Sequence, residues 1–194
     1  MTRRSDILEL AVLGLLHDAP MHGYELRKNL NGLLGIFRAL SYGTLYPALK
    51  SLLAQGLIRE VAEDDGTTPA LAGRRARIVY ELTAEGKERF QSLVHSPGPA
   101  AWEDGTFDVH FAFFARTDAA SRLQVLEGRR TRLQERLDGV RQSMARRRER
   151  RDTYTQELQR HGLESVEREV RWLTELIDSE RAGNMTHLRD PDKP

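Results

Sequence analysis

The chain contains no cysteine. That excludes disulfides, thiolate metal sites and thiol redox sensing. No apolar run approaches the roughly 20 residues that a membrane-spanning helix requires. The N-terminus has no secretory pattern, because Arg3 and Arg4 are followed closely by Asp6 and Glu9. A cytoplasmic protein with no membrane partner is therefore expected. Aromatic residues make up only 7% and hydrophobic residues 39%, against 30% charged. Such a composition suits long exposed helices and an oligomer better than one thick-cored globule. The six histidines show no ligand spacing. There is also no glycine-rich phosphate loop and no nucleophile beside a base, so neither an enzyme, a metal site nor a cofactor is expected. The net charge of +1 decides little, since nucleic-acid binding depends on where charge sits.

A length of 194 residues allows one large domain or two small ones. Residues 96–106, SPGPAAWEDGT, hold two prolines and two glycines and interrupt the periodicity. The reading is a mixed α/β domain over 1–95, a linker over 96–106, a helical domain over 107–182 and a flexible tail over 183–194. The fold class is mainly α with a small β-hairpin wing.

In the first domain, residues 5–17 read as a helix that is apolar nearly all round. A helix of that kind is buried on more than one side. Leu8 and Val12 belong either to a dimer interface or to an ordinary core. A second helix covers 22–34 and a turn 35–40. Ser41 then caps a third helix that stops before Gly56. Leu45, Leu49, Leu52 and Leu53 form its inner stripe, leaving Tyr42, Thr44, Tyr46 and Lys50 on or near the outer face. Pro47 delays the regular helix to Gly43 or Thr44. The backbone N–H groups of Tyr42, Gly43 and Thr44 then lie where a phosphate can meet them. Residues 57–62 and 77–82 alternate as strands around a long polar loop. Arg74, Arg75 and Arg77 on the descending arm suit phosphates or a narrow minor groove. Glu63, Asp64 and Asp65 on the rising arm would repel DNA. Thr83 and Gly86 begin a closing helix to residue 95. Helix, turn, helix and a basic two-stranded wing make a winged helix-turn-helix, which presents its third helix to the major groove.

Three blocks, VLGLLHDAPMHGYEL, SYGTLYPALKSLLAQGLI and RRARIVYELTAEGKE, occur in order within residues 7–90. Together they resemble the DNA-binding domain of the PadR family of bacterial transcriptional regulators. The resemblance implies that the third helix enters the major groove while the wing touches flanking backbone. It implicates Ser41, Tyr42, Gly43, Thr44, Tyr46, Pro47 and Lys50, with His22, Gly23 and Tyr24 at the second helix. Tyr46 has a second reading, as a buttress between the helix and the wing.

The second half is almost entirely helical. Phe111 and Phe114 lie in an aromatic run that reads either as a hinge core or as the lining of an effector pocket. One long helix is expected from Asp118 to His161, with Gly162 as its break and a final helix over 163–181 folding back antiparallel. Leu123, Leu126, Leu133, Leu137 and Val140 follow seven-residue series, and Val170, Leu173 and Ile177 line the final helix. These form the expected coiled-coil dimerisation surface, a layout that resembles the longer PadR members. Arg147 and Arg151 fall on the same seam. They face water, pair with Glu149, Asp152 or Glu157 across the dimer, or hold an anionic effector. The expected function is a homodimeric regulator on a pseudo-palindromic operator. Repression is implied by the family tendency; activation, and a protein-binding adaptor, are the alternatives. A small-molecule effector, anionic or aromatic, is the further candidate partner.

Overall fold

The computed structural model describes residues 2–34, 42–62, 78–146 and 152–183. They form two compact units that divide between Asp118 and Ala119.

The first unit is built around α1 (Thr2–Asp18), which begins earlier than the expected helix at residue 5. Leu8, Leu10, Ala11, Val12, Leu13 and Leu16 are all buried. The cover comes from α2 (Gly23–Leu34), α3 (Tyr42–Ala54), β3 (Ile78–Leu82), α4 (Ala84–His95) and α5 (Phe107–Ala112), all of which pack on α1. Leu8 and Val12, 3% and 0% exposed, are therefore core residues of their own unit and offer no surface to a second subunit.

The sheet has three strands, not the expected two. β1 (Met21–His22) and β2 (Ile58–Ala62) flank β3, both antiparallel to it, with Tyr80 between Met21 and Glu60. A two-residue strand carries no alternation to read. Its presence moves the start of α2 from His22 to Gly23. The start of α3 lies before the expected Gly43 or Thr44, and Pro47 sits inside the helix. So near the N-terminus a proline forfeits one bond, to the Gly43 carbonyl, and the helix tolerates it.

α3 stops at Gly56, whose φ of 71° is left-handed. α4 is capped as expected. The Thr83 hydroxyl accepts from the Gly86 amide at 3.0 Å and donates to the Gly56 carbonyl at 2.7 Å. Gly86 is required here, because a β-carbon would run into the Leu57 carbonyl.

Residues 96–106 are not an interdomain linker. They form a turn with a short 3₁₀ segment, Pro99–Trp102, and the unit continues through α5 to Asp118. The prolines and glycines bend the chain, but the apolar residues beyond them bury: Val109 and Phe113 join the core around α1. Arg116 pairs with Asp18, and His95 Nδ1 lies 2.8 Å from Asp118.

The second unit is a helical hairpin of α6 (Ala119–Arg146) and α7 (Thr153–Arg181). Ion pairs Arg122–Glu180, Arg129–Glu169 and Arg141–Glu167 run in opposite sequence directions, which makes the helices antiparallel. The single helix expected from 118 to 161 is thus two. α7 passes straight through Gly162, the expected break; a mid-helix glycine costs only about 1 kcal/mol. The restart is set by Asp152, whose side chain accepts from the Thr155 amide at 3.0 Å. Its carboxyl is held below the usual range by the Thr155 hydroxyl and amide. Leu126, Leu133, Leu137, Leu173 and Ile177 are buried within one chain, while Leu123, Val140 and Val170 are half-buried. Much of the seven-residue seam is covered by the chain's own second helix. Arg147, Arg151 and the tail beyond Gly183 lie outside the described residues.

Candidate nucleic-acid interface

α3 sorts its side chains by its period. Leu45, Leu49 and Leu52 recur at four and three residues and are buried, with Leu53 half-buried beside them. Tyr46, Pro47 and Lys50 then fall on the opposite, exposed side. Lys50 stands one turn beyond Tyr46, so an aromatic ring and a cation share one outward row. The backbone of Tyr42, Gly43 and Thr44 forms the first turn of α3. Ser41, the wing arginines Arg74, Arg75 and Arg77, and the side chains of residues 42–44 lie outside the description.

Tyr46 stands where the buttress reading expects it, with part of its ring exposed. It is 44% exposed, yet its hydroxyl reaches to 4.0 Å from where a Gly23 β-carbon would sit. That contact sets the start of α2 beside the outward face of α3. The Tyr80 ring lies near the same glycine, at 3.4 Å. Burial raises the Tyr80 hydroxyl above its ordinary pKa; Glu60, to which it hydrogen-bonds, and Tyr46 add to the rise. The hydroxyl stays protonated, and Tyr80 ties the central strand to β2 and faces α3. Tyr46 therefore braces the helix against the sheet while leaving much of its ring outside.

At the start of α2, Tyr24 is 68% exposed. His22 is half-buried in the β1–β3 pair, and its amide donates to Glu25 Oε2 at 3.2 Å. This is one arm of a capping box, so His22 acts first as a helix-start residue. Lys28, absent from the expected set, is exposed one turn beyond Tyr24. The four-residue spacing from Tyr24 was the available signal. The structure thus places the Tyr46 hydroxyl near Gly23 and leaves Tyr24, Tyr46 and Lys50 each exposed.

Of the expected effector residues, Phe111 and Phe114 lie among the described residues. Phe111 and Phe114 stack at 4.9 Å, and Phe107 meets Phe111 at 5.8 Å. Phe114 is buried and Phe111 half-buried, which fits the hinge-core reading. On the same helix as Phe107 and Phe111, burial lowers the His110 pKa to about 4. Among the described residues no three metal-binding side chains converge, and no helix is long and apolar enough to cross a membrane.

A three-helix unit with a recognition-type third helix and a β-wing defines a winged-helix protein of the nucleic-acid-binding kind. Residues 12–92 match the model of the transcriptional regulator PadR-like family. These residues carry that family's domain; members of the family are transcriptional regulators, not enzymes. It is 29% identical over 100 residues to the negative transcriptional regulator PadR of Bacillus subtilis (strain 168), a match spanning 50% of this chain and 52% of that protein. Among solved structures, Bacillus subtilis PadR in complex with operator DNA aligns at a TM-score of 0.40 and 21% identity, covering 90% of this chain and 99% of that one. The same protein in complex with p-coumaric acid gives 0.40 and 20%, with the same coverage. The PadR-like regulator BC1756 from Bacillus cereus gives 0.40 and 19%, covering 91% and 99%.

Proposed function

We propose that this chain is a DNA-binding repressor that reads a pseudo-palindromic operator as a homodimer, each copy placing α3 in a major groove. The observation that carries the reading is the division of α3. The buried Leu45–Leu49–Leu52 stripe fixes the helix, and that leaves Tyr46 and Lys50 outward, with the Tyr46 hydroxyl near Gly23 at the start of α2. In this reading Tyr24 and Tyr46 pack on sugars or bases, Lys50 meets a phosphate or guanine, and Lys28 adds a phosphate contact. Ser41, Tyr42, Gly43 and Thr44 supply N–H and hydroxyl donors at the start of the helix. Arg74, Arg75 and Arg77 grip the backbone beside the groove, and His22 contributes by positioning α2.

The name of the Bacillus subtilis relative supports repression over activation. A small anionic or aromatic molecule is the proposed effector, with Phe111, Phe114, Arg147 and Arg151 as its candidate residues. A chromosomal operator places the protein in the cytoplasm.

The test is a titration of the purified protein against its own upstream region and against a scrambled duplex, across a range of salt. Site-preferring binding that weakens steeply with salt is expected. Binding that is indifferent to salt, or no binding at low salt, would overturn the DNA reading in favour of a protein-binding adaptor.

A further inference from the structure

Glu60, Tyr80 and Tyr46 form a chain of contacts across three elements. Glu60 on β2 and Tyr80 on β3 are directly opposed in the antiparallel register. Side chains alternate along a strand, so both lie on the face that carries Ile58 and Leu82 into the core. Tyr80 is 6% exposed, and its hydroxyl donates to the carboxylate of the exposed Glu60. The neighbouring cross-strand pair, Arg59 and Glu81, is ion-paired on the opposite face. Two adjacent polar pairs thus pin the register of β2 on β3 from both sides.

The chain continues to α3. The Tyr80 ring edge lies 3.4 Å from the point that a Gly23 β-carbon would occupy, and the Tyr46 hydroxyl lies 4.0 Å from the same point. Gly23 is not among the described glycines with a left-handed φ. The position therefore uses glycine for space, which the two tyrosines share. Tyr46 is close enough to act electrostatically on the Tyr80 hydroxyl. The rest of its ring is outward, at the head of the row that holds Lys50.

We propose that Tyr80 and Glu60 are positioning residues for operator readout. The Glu60 carboxylate fixes the Tyr80 hydroxyl, and Tyr80 backs Tyr46. The outward row of α3 is then presented to the groove in one orientation. Neither positioning residue touches DNA. The inference rests on the DNA-binding reading and adds the groups that hold the reading face. Two considerations favour it. A buried phenol requires a hydrogen-bond partner, and Glu60 supplies it from an exposed position. An exposed carboxylate beside a reading helix also repels phosphate over about 10 Å in ordinary salt. The bond to Tyr80 gives that carboxylate a use that offsets the repulsion. A ring held before binding loses less freedom on binding, so the gain appears as affinity for the correct site.

The test titrates the whole chain against its upstream duplex and a scrambled duplex. Tyr80→Phe removes one hydroxyl and no charge. It should weaken binding to the upstream duplex about threefold to tenfold. Affinity for the scrambled duplex and the salt slope should not change, because no phosphate contact is lost. A general loss of folding would lower both affinities. Glu60→Ala and Glu60→Gln remove the same charge, but the glutamine keeps an acceptor for Tyr80. Glu60→Ala should therefore bind the upstream duplex about threefold to tenfold more weakly than Glu60→Gln. That comparison decides the matter even if Tyr80→Phe folds poorly. In a Tyr46→Ala background, Tyr80→Phe should cost nothing further. Wild-type affinity in Tyr80→Phe, or equal affinities for the two Glu60 variants, overturns the positioning role and leaves the DNA-binding reading standing. An equal loss with and without the Tyr46 ring overturns the route through Tyr46. A wild-type protein that binds neither duplex at low salt overturns the DNA-binding reading and this inference together.

Discussion

The ring of Phe113 lies over Gly14, so closely that a β-carbon on Gly14 would fall inside the van der Waals envelope of the ring. Phe113 also meets Phe90 edge-on, with ring centroids 5.5 Å apart. This contact binds the segment after α4 to the helix at the centre of the first unit. Gly14→Ala should destabilise that unit by about 1–3 kcal/mol, the usual cost of overpacking. In a Phe113→Ala background, itself costing about 3–5 kcal/mol, the Gly14→Ala penalty should vanish. A double-mutant cycle by urea denaturation reads the coupling, and additive losses would refute the contact.

The hairpin has its own critical pair. The Glu180 side chain is 2% exposed and takes the Arg122 Nε–H at 2.9 Å. Its Oε2 has no hydrogen-bond partner among the described residues. Arg122→Ala should cost about 2–3 kcal/mol, toward the low side for breaking a buried pair because Arg122 is partly exposed. Replacing both residues with methionine should recover most of the loss. Equilibrium denaturation followed by helicity checks both; an unchanged midpoint for Arg122→Ala would show that the pair contributes nothing.

His110 makes acid stability predictable. Burial lowers its pKa to about 4, against 6.5 for the free side chain. Between those values the unfolded chain binds a proton that the folded chain refuses, so stability rises with pH across that window. The His110 contribution is complete above about 6.5 and is lost as pH falls toward 4, on the order of 2–3 kcal/mol. His110→Phe should flatten the pH dependence of stability between 6.5 and 4 relative to wild type. Equal slopes for the two proteins would place His110 in water.

α3 was legible in the sequence because its cues are local. The period of Leu45, Leu49 and Leu52, the stop at Gly56 and the Thr83–Gly86 cap each act within a few residues. What was hidden depends on distant partners. Residues 96–118 look like a linker until Phe113 finds the hollow over Gly14. β1 exists only because β3 has an edge to offer Met21 and His22. The hairpin reverses between Arg146 and Asp152, an arginine-rich stretch with no glycine or proline to announce it, while the glycine at 162 remains helical. The seven-residue seam was read correctly as a seam, but period alone does not say whose helix covers it. On α2 and α3, Tyr24, Tyr46 and Lys50 were predictable as outward residues; the role of Tyr46 as a brace needed Gly23 and Tyr80 in view.

Lys50 is the exposed cation on the outward face of α3. The measurement is the slope of log affinity against log salt for the upstream duplex, for wild type, Lys50→Ala and Lys87→Ala. Lys87 is another exposed lysine, on α4. If the outward face of α3 lies on DNA, Lys50→Ala should weaken binding about tenfold or more and reduce the slope by about one, while Lys87→Ala changes neither. Identical slopes and affinities for wild type and Lys50→Ala would contradict the assignment of α3 as the DNA-reading helix.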